Sequence, residues 1–144
     1  MKKVAQLLSK KGHDVASIEA DESVYDALER MVARNIGALV VCQDGECQGL
    51  LTERDYARKV ILKGKSSKDS LVSEIMDPQP ATVTVNDSIE HCMALMSEKH
   101  IRYLPVLTEK KVVGLVSMGD LVRFIMDDQT LTIQDLRNYI SGTV

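Results

Sequence analysis

Val4, Leu7 and Leu8 recur at helical spacing and Gly12 is a natural stop, so a short N-terminal helix is expected. Residues 15–18 read as a short strand. Ser23 is a good N-cap, with Asp26 three residues on approximating a capping box. Behind it Val24, Ala27, Leu28, Met31 and Val32 line one helical face as far as Arg34. The unbroken apolar run 36–42 is too short for a buried helix and suits a buried strand. Asp44-Gly45 signals a turn, and residues 48–51 complete a hairpin. Thr52 then caps a helix carried by Tyr56, Val60 and Ile61.

The polar, charged stretch 63–70 reads as an exposed linker, and the short apolar piece 71–76 leads into Asp77-Pro78-Gln79-Pro80. The pattern then starts again. Val83 marks a first strand, and Ser88 caps a helix using Ile89, Cys92, Met93 and Met96. Residues 103–107 and 112–116 form a hairpin around Glu109-Lys110-Lys111. Ser117 opens a helix with Leu121, Val122, Phe124 and Ile125, and Ile133, Leu136, Tyr139 and Ile140 make a last amphipathic helix ending near Gly142.

The two halves share more than a pattern. Gly49-Leu50-Leu51-Thr52-Glu53-Arg54-Asp55 recurs as Gly114-Leu115-Val116-Ser117-Met118-Gly119-Asp120, 65 positions later. The same spacing superposes Ala16 on Ala81, Ser23 on Ser88, Met31 on Met96, Ile36 on Ile101, Leu39 on Leu104, Val41 on Val106 and Arg58 on Arg123. Chance does not hold one register over that many positions, so the chain carries an internal duplication. Each repeat is strand, helix, strand, strand, helix. The expected fold class is α/β (α+β): two βαββα repeats burying against each other with pseudo-two-fold symmetry, plus short N- and C-terminal helices. The expected division is an N-terminal helix at 1–14, repeat 1 at 15–63, a linker at 64–79, repeat 2 at 80–127 and a C-terminal helix at 128–144.

Composition excludes more than it selects. The 144 residues are 44% apolar and 27% charged with a net charge of −3, ordinary for a soluble domain and unsuited to nucleic acid or an anionic membrane. Aromatic residues are only 3% with no Trp, which argues against base-stacking platforms. The apolar stretch after Lys2 and Lys3 is too short for a signal segment and no run spans a bilayer, so a cytoplasmic location is expected. Cys42, Cys47 and Cys92 show no CxxC spacing and make an odd count, and Cys42 and Cys92, set in apolar patterns, read as small hydrophobes.

What remains for chemistry is the duplicated hydroxyl-x-x-Asp turn. Thr52 or Ser117 can cap the helix that follows, and an ionised Asp on the first turn only accepts hydrogen bonds. A pair of ribose hydroxyls is a natural partner for such a carboxylate, a role acidic residues play in dinucleotide folds. The structural alternative is that each Asp merely complements the helix dipole.

The order of these elements, each repeat closing on G-h-h-[ST]-x-x-D, resembles the CBS (cystathionine beta-synthase) domain, and the tandem resembles a CBS pair, or Bateman module. His100-Ile101-Arg102-Tyr103-Leu104-Pro105-Val106 resembles the family signature at the second strand, Asn35-Ile36-Gly37-Ala38-Leu39-Val40-Val41 its partner, and Glu74-Ile75-Met76 before Pro80 the family linker. The whole chain is similar to small stand-alone bacterial CBS-pair proteins.

The resemblance implies a sensor or regulator, with no catalytic cofactor, that binds an adenosine-containing ligand (AMP, ADP, ATP, NAD(H) or S-adenosylmethionine) in clefts between the repeats. It assigns ribose to Asp55 and Asp120, with Thr52 and Ser117 supporting them. It pairs Asp55 and Thr52 with Arg102 and His100, and Asp120 and Ser117 with Gly37 and Ala38, with Tyr103 and Arg54 as further ligand contacts. Backbone near Ile18 and Val83 would contact adenine. Arg102 would draw a phosphate to the Asp55 site. The Asp120 site, lacking charge unless Arg54 or Arg58 reaches it, would be weaker. A homodimer through the repeat helices is also implied, with the stripes holding Met31, Val32, Met93 and Met96 as its surface. Output would pass to an effector protein.

Two readings compete. Catalysis is disfavoured, because the chain has no Ser/His/Asp order, Walker glycine loop, HExxH or CxxC, and His13, His91 and His100 lie in unrelated contexts. A structural or oligomerisation module with no nucleotide ligand stays open, both Asp turns then being inherited caps.

Overall fold

The computed structural model describes residues 2–128, 137, 138, 140 and 141. It is mixed α/β and divides into two units, one of Val15–Pro80 with Glu109–Val112, the other of Met1–Asp14, Ala81–Thr108 and Val113–Val144.

In the first unit β1 (Ser17–Ile18) runs parallel to β2 (Ala38–Gln43), and β2 pairs antiparallel with β3 (Glu46–Thr52). The hairpin turn is Asp44-Gly45, both with positive φ (54° and 80°), the conformation that suits a right-twisted two-residue turn. Register slips once, between Val41↔Gly49 and Cys42↔Cys47, so Gln48 is the extra residue of a bulge. The start of β3 also pairs with the tip of the second hairpin, at Glu46↔Lys111.

Along β2, Leu39 and Val41 join Ala16, Ile18, Val24, Ala27, Met31 and Leu51 in one core, while the alternate residues Ala38 and Val40 are buried as well. Burial on both faces is why the sequence reads as an unbroken apolar run rather than an alternation. The helix between β1 and β2 (Val24–Arg34, with the N-terminal Val4–Lys11 helix taken as α1 and this one as α2) starts at Ser23, whose hydroxyl accepts from the Asp26 N–H at 3.0 Å. It stops at Asn35 in the left-handed conformation.

The single helix expected after Thr52 is two pieces. α3 (Glu53–Tyr56) passes into a π-helical turn, Ala57–Ile61, closed by the Leu62 N–H on the Ala57 carbonyl at 3.1 Å. The wider turn changes which side faces in: Val60 is buried, but Ile61, expected on the apolar face, is exposed. In the stretch read as an exposed linker, Ser70 is buried, its hydroxyl on the Ser66 carbonyl at 2.8 Å and its carbonyl taking the Val24 N–H at 2.9 Å. The apolar piece that follows is a one-turn helix, α4 (Val72–Ile75), with Val72 and Ile75 in the core.

The second unit carries α1, α5 (Ile89–Lys99), β4 (Tyr103–Thr108), all but the first two residues of its hairpin partner β5 (Lys111–Ser117), and α6 (Met118–Asp127). The strand expected at Val83 reduces to one parallel bridge with Val106. Val4, Leu7 and Leu8 pack with Ile89, Cys92, Met93, Met96, Leu104, Val116, Leu121 and Phe124. Met31, Met93 and Met96 therefore face their own cores, and of the residues expected to line a dimer surface only Val32, 81% exposed, is available. Arg137, Asn138, Ile140 and Ser141 are helical, while Ile133, Leu136, Tyr139 and Gly142 of the expected last helix lie outside the described residues.

α1 and α4 are counterparts. Val4 donates to the Asp87 carbonyl and Ala5 to that of Val85; Val72 donates to Glu22 and Ser73 to Ala20, all at 2.9–3.0 Å. Ile89 and Val24 return the favour to Lys2 and Ser70. The N-cap N–H is held by the third helical residue in each case, Lys3 by Gln6 at 2.8 Å and Leu71 by Glu74 at 3.0 Å. α1, read from the sequence as lying outside the repeat, thus docks on the second repeat as α4 docks on the first. The glycine of each motif is closely approached, by the chain just after α4 in the first unit and by α1 itself in the second. A Cβ on Gly49 would stand 2.5 Å from the Asp77 carbonyl oxygen, and one on Gly114 2.9 Å from both Leu8 methyls. Only glycine lets the neighbouring chain come that close.

Candidate functional site

The sequence-expected residues fall six to each unit: Ile18, Gly37, Ala38, Thr52, Arg54 and Asp55 in one, Val83, His100, Arg102, Tyr103, Ser117 and Asp120 in the other. Within each unit the chain builds the same turn. The N–H of Glu53 donates to the Gly37 carbonyl at 3.0 Å and that of Met118 to the Arg102 carbonyl at 2.9 Å, so the start of the second strand is tied to the first residue of the helix after the third. His100 sits in the left-handed position that ends α5, as Asn35 ends α2.

At the first turn, Asp55 Oδ2 accepts from the Thr52 N–H at 3.0 Å and the Thr52 hydroxyl at 3.1 Å, while the hydroxyl accepts from the Asp55 N–H at 3.2 Å. Oδ1 has the Lys59 ammonium at 3.4 Å, and Lys59 also donates to the Ile75 carbonyl at the end of α4. At the second turn, Asp120 Oδ2 accepts from the Ser117 N–H at 2.8 Å, and the Ser117 hydroxyl accepts from the Asp120 N–H at 3.0 Å. In both, the reciprocal hydrogen bonds fix the carboxylate in one orientation while satisfying two helix-end donors.

The surroundings of the two carboxylates differ. Lys11, the last residue of α1, donates to Asp120 Oδ2 at 2.6 Å and to the Leu115 carbonyl. Arg123 donates to Oδ1 at 2.8 Å. Burial by itself would push the Asp120 carboxyl up, but the Lys11 hydrogen bond and charge, with the Ser117 N–H and hydroxyl, outweigh it and hold the group below the ordinary carboxylate value. The expectation that Asp120 would lack cationic company is thereby corrected. No motif marks Lys11 or Lys59, and Arg123 stands out in the sequence only as the repeat of Arg58.

A concavity of about 800 Å³ in the first unit lies elsewhere. Ser17, Ile18, Glu19, Asp21, Glu22, Asp26, Arg30 and Asp44 are among its lining residues, and neither Thr52 nor Asp55 is. Five carboxylates there against one guanidinium disfavour any phosphate. Among the described residues no group of three His, Cys, Asp or Glu could hold a metal, and no helix is long and apolar enough to cross a membrane.

Residues 4–62 and 72–127 each match the CBS domain, so this chain belongs to the CBS domain family and carries the domain twice. It is 42% identical over 127 residues to a mitochondrial CBS domain-containing protein of Arabidopsis thaliana, CBSX3, covering 85% of this chain and 62% of that protein's length, under two thirds of it. A crystal structure of a CBS domain superposes with a TM-score of 0.82 at 50% identity, over 87% of this chain and 98% of that one. The crystal structure of CBSX2 in complex with AMP superposes with a TM-score of 0.72 at 25% identity, over 88% and 98%. CBS pairs are regulatory modules rather than catalysts.

Proposed function

We propose that this chain is a sensor that binds an adenosine-containing nucleotide, of the AMP, ATP, NAD(H) or S-adenosylmethionine class, at its hydroxyl-x-x-Asp turns. Asp55 is the first ribose acceptor, with Thr52 supporting it. The observation that carries the reading is the geometry of that carboxylate: Oδ2 is locked by Thr52, and among the described residues Oδ1 meets an ammonium alone, at 3.4 Å, beyond a short hydrogen bond. An oxygen so placed can accept from a ribose hydroxyl without breaking a strong bond. The AMP held by CBSX2 supports the ligand class. Ile18, Val83, Gly37, Ala38, His100, Arg102, Tyr103 and Arg54 are kept as further contacts, Arg102 for phosphate.

Binding stabilises the folded state by mass action, about 2.7 kcal/mol at a hundredfold excess over Kd. Regulation further requires that the nucleotide prefer one arrangement of the protein over another. The reading includes a homodimer, with Val32 of α2 as its exposed apolar residue, and an effector protein that receives the signal in the cytoplasm.

The test is calorimetric titration of nucleotide-stripped protein with AMP, followed by ATP, NADH and S-adenosylmethionine. Saturable heat that Asp55→Ala removes is the expected result. No heat from folded protein with any of the four sinks the reading and leaves a structural or oligomerisation module.

A further inference from the structure

Building on that nucleotide reading, we infer that Lys11 decides which of the two Asp turns takes the ribose, by closing the Asp120 turn from within the chain. A carboxylate offers about four lone-pair positions. On Asp120, Ser117 and Lys11 take two at Oδ2 and Arg123 takes one at Oδ1, all at 2.6–2.8 Å. On Asp55, Thr52 takes the two at Oδ2, and among the described residues Oδ1 has Lys59 alone, at 3.4 Å. A ribose diol needs two acceptor positions, which Asp55 has and Asp120 lacks until a cation leaves.

The two cations on Asp120 are not equally held. The Arg123 side chain is 72% exposed on the same helix, an arrangement of little strength in water. Lys11 is 30% exposed, is anchored a second time on the Leu115 carbonyl, and sits on a helix whose Val4, Leu7 and Leu8 are buried. The ammonium is thus held in place by the packing of α1, and displacing it means breaking two hydrogen bonds at once. Asp120 and Lys11 open, with Leu7, Lys10, Arg123 and Phe124, onto a concavity of about 230 Å³, below the range usual for small-molecule sites.

The asymmetry comes from helix length. α4, the counterpart of α1, has four residues to α1's eight, so no ammonium from it reaches Asp55. The extra turn of α1 is what carries Lys11 to the second carboxylate.

The experiment compares AMP titrations of the full chain and of Asp55→Ala, Lys11→Met and the double variant Asp55→Ala/Lys11→Met, each checked for folding by circular dichroism. Asp55→Ala is expected to lose the tight event. The double variant is expected to bind AMP at least tenfold more tightly than Asp55→Ala alone, and adding Asp120→Ala is expected to abolish that gain. Lys11→Arg, which keeps the cation and the stem, is expected to keep the turn closed in the Asp55→Ala background. If Lys11→Met leaves binding unchanged or weakens it while the parent still binds through Asp55, the closure is wrong and the nucleotide reading stands. Absence of heat from the parent and from every variant overturns both.

Discussion

Leu8 and Gly114 form one contact between two segments more than a hundred positions apart in sequence, and the contact can be measured. Leu8 is fully buried, and both its methyls stand 2.9 Å from where a Cβ on Gly114 would lie. Leu8→Ala removes a packed side chain from the core of the second unit, a change that costs about 2–5 kcal/mol; on a terminal helix free to settle, about 3 is expected. Gly114→Ala inserts a methyl into filled space, costing about 1–3 kcal/mol. The φ of Gly114 is not positive, so the loss of chain entropy in the unfolded state returns about 0.5–1 kcal/mol and leaves a net cost near 1. In the double variant the new methyl enters the space Leu8 vacated, relieving clash and cavity together. The pair is therefore expected to cost less than the sum of the singles by about 1–2 kcal/mol. Urea unfolding followed by circular dichroism, with slopes checked for constancy, measures the cycle. Additivity within about 0.5 kcal/mol would refute the claim that α1 rests on this glycine.

Gly49→Ala is expected to destabilise more than Gly114→Ala in the same assay, because its Cβ meets a backbone oxygen at 2.5 Å rather than the tip of a side chain; equal costs would count against the close approach of Asp77. Asp120→Asn should change the acid limb of stability. The folded carboxyl lies below its unfolded value, so its contribution is full above about pH 4 and disappears as pH falls through the folded value. The gap between parent and variant is thus expected to be constant from pH 7 to about 5 and to close below about 4, and a gap that widens on acidification would contradict the Lys11 pairing. The Cys92 thiol, pushed up to about 12 by burial and then by the charge of Asp87, is expected to stay unmodified by maleimide at pH 8 in the folded protein and to label once denatured. Labelling as fast as a free thiol, read by peptide mass spectrometry, would place it at the surface.

What could be read from the sequence was local or repeated. The caps at Ser23 and Ser88, the Asp44-Gly45 turn and the two Asp turns each depend on neighbours within four positions, and the folded chain makes all of them. The strand at Val83 was not separable from a single bridge, since one apolar residue among polar ones looks the same either way. The π turn after Tyr56 leaves no periodic trace, because one widened turn shifts the burial of only a few residues. The kinship of α1 and α4 is hidden in the sequence because they align 68 positions apart where the rest of the repeat aligns at 65, and little but their backbone hydrogen bonding is alike. The Lys11–Asp120 pair joins residues 109 positions apart, and nothing near either announces the other.

The docking of α1 on the second repeat also sets an order of events during synthesis. Val15–Pro80 supplies nearly all of the first unit as one continuous stretch, so its core can close while the rest of the chain is still being made. The second unit joins the first fourteen residues to segments beginning at Ala81. Val4, Leu7 and Leu8 must therefore wait, with their apolar face open, until Phe124 and Ile125 have left the ribosome. Closing that long loop is slow relative to local helix and hairpin formation. The interval between the two closures is when the nascent chain is exposed to aggregation, and it is a property of the connectivity rather than of the finished fold.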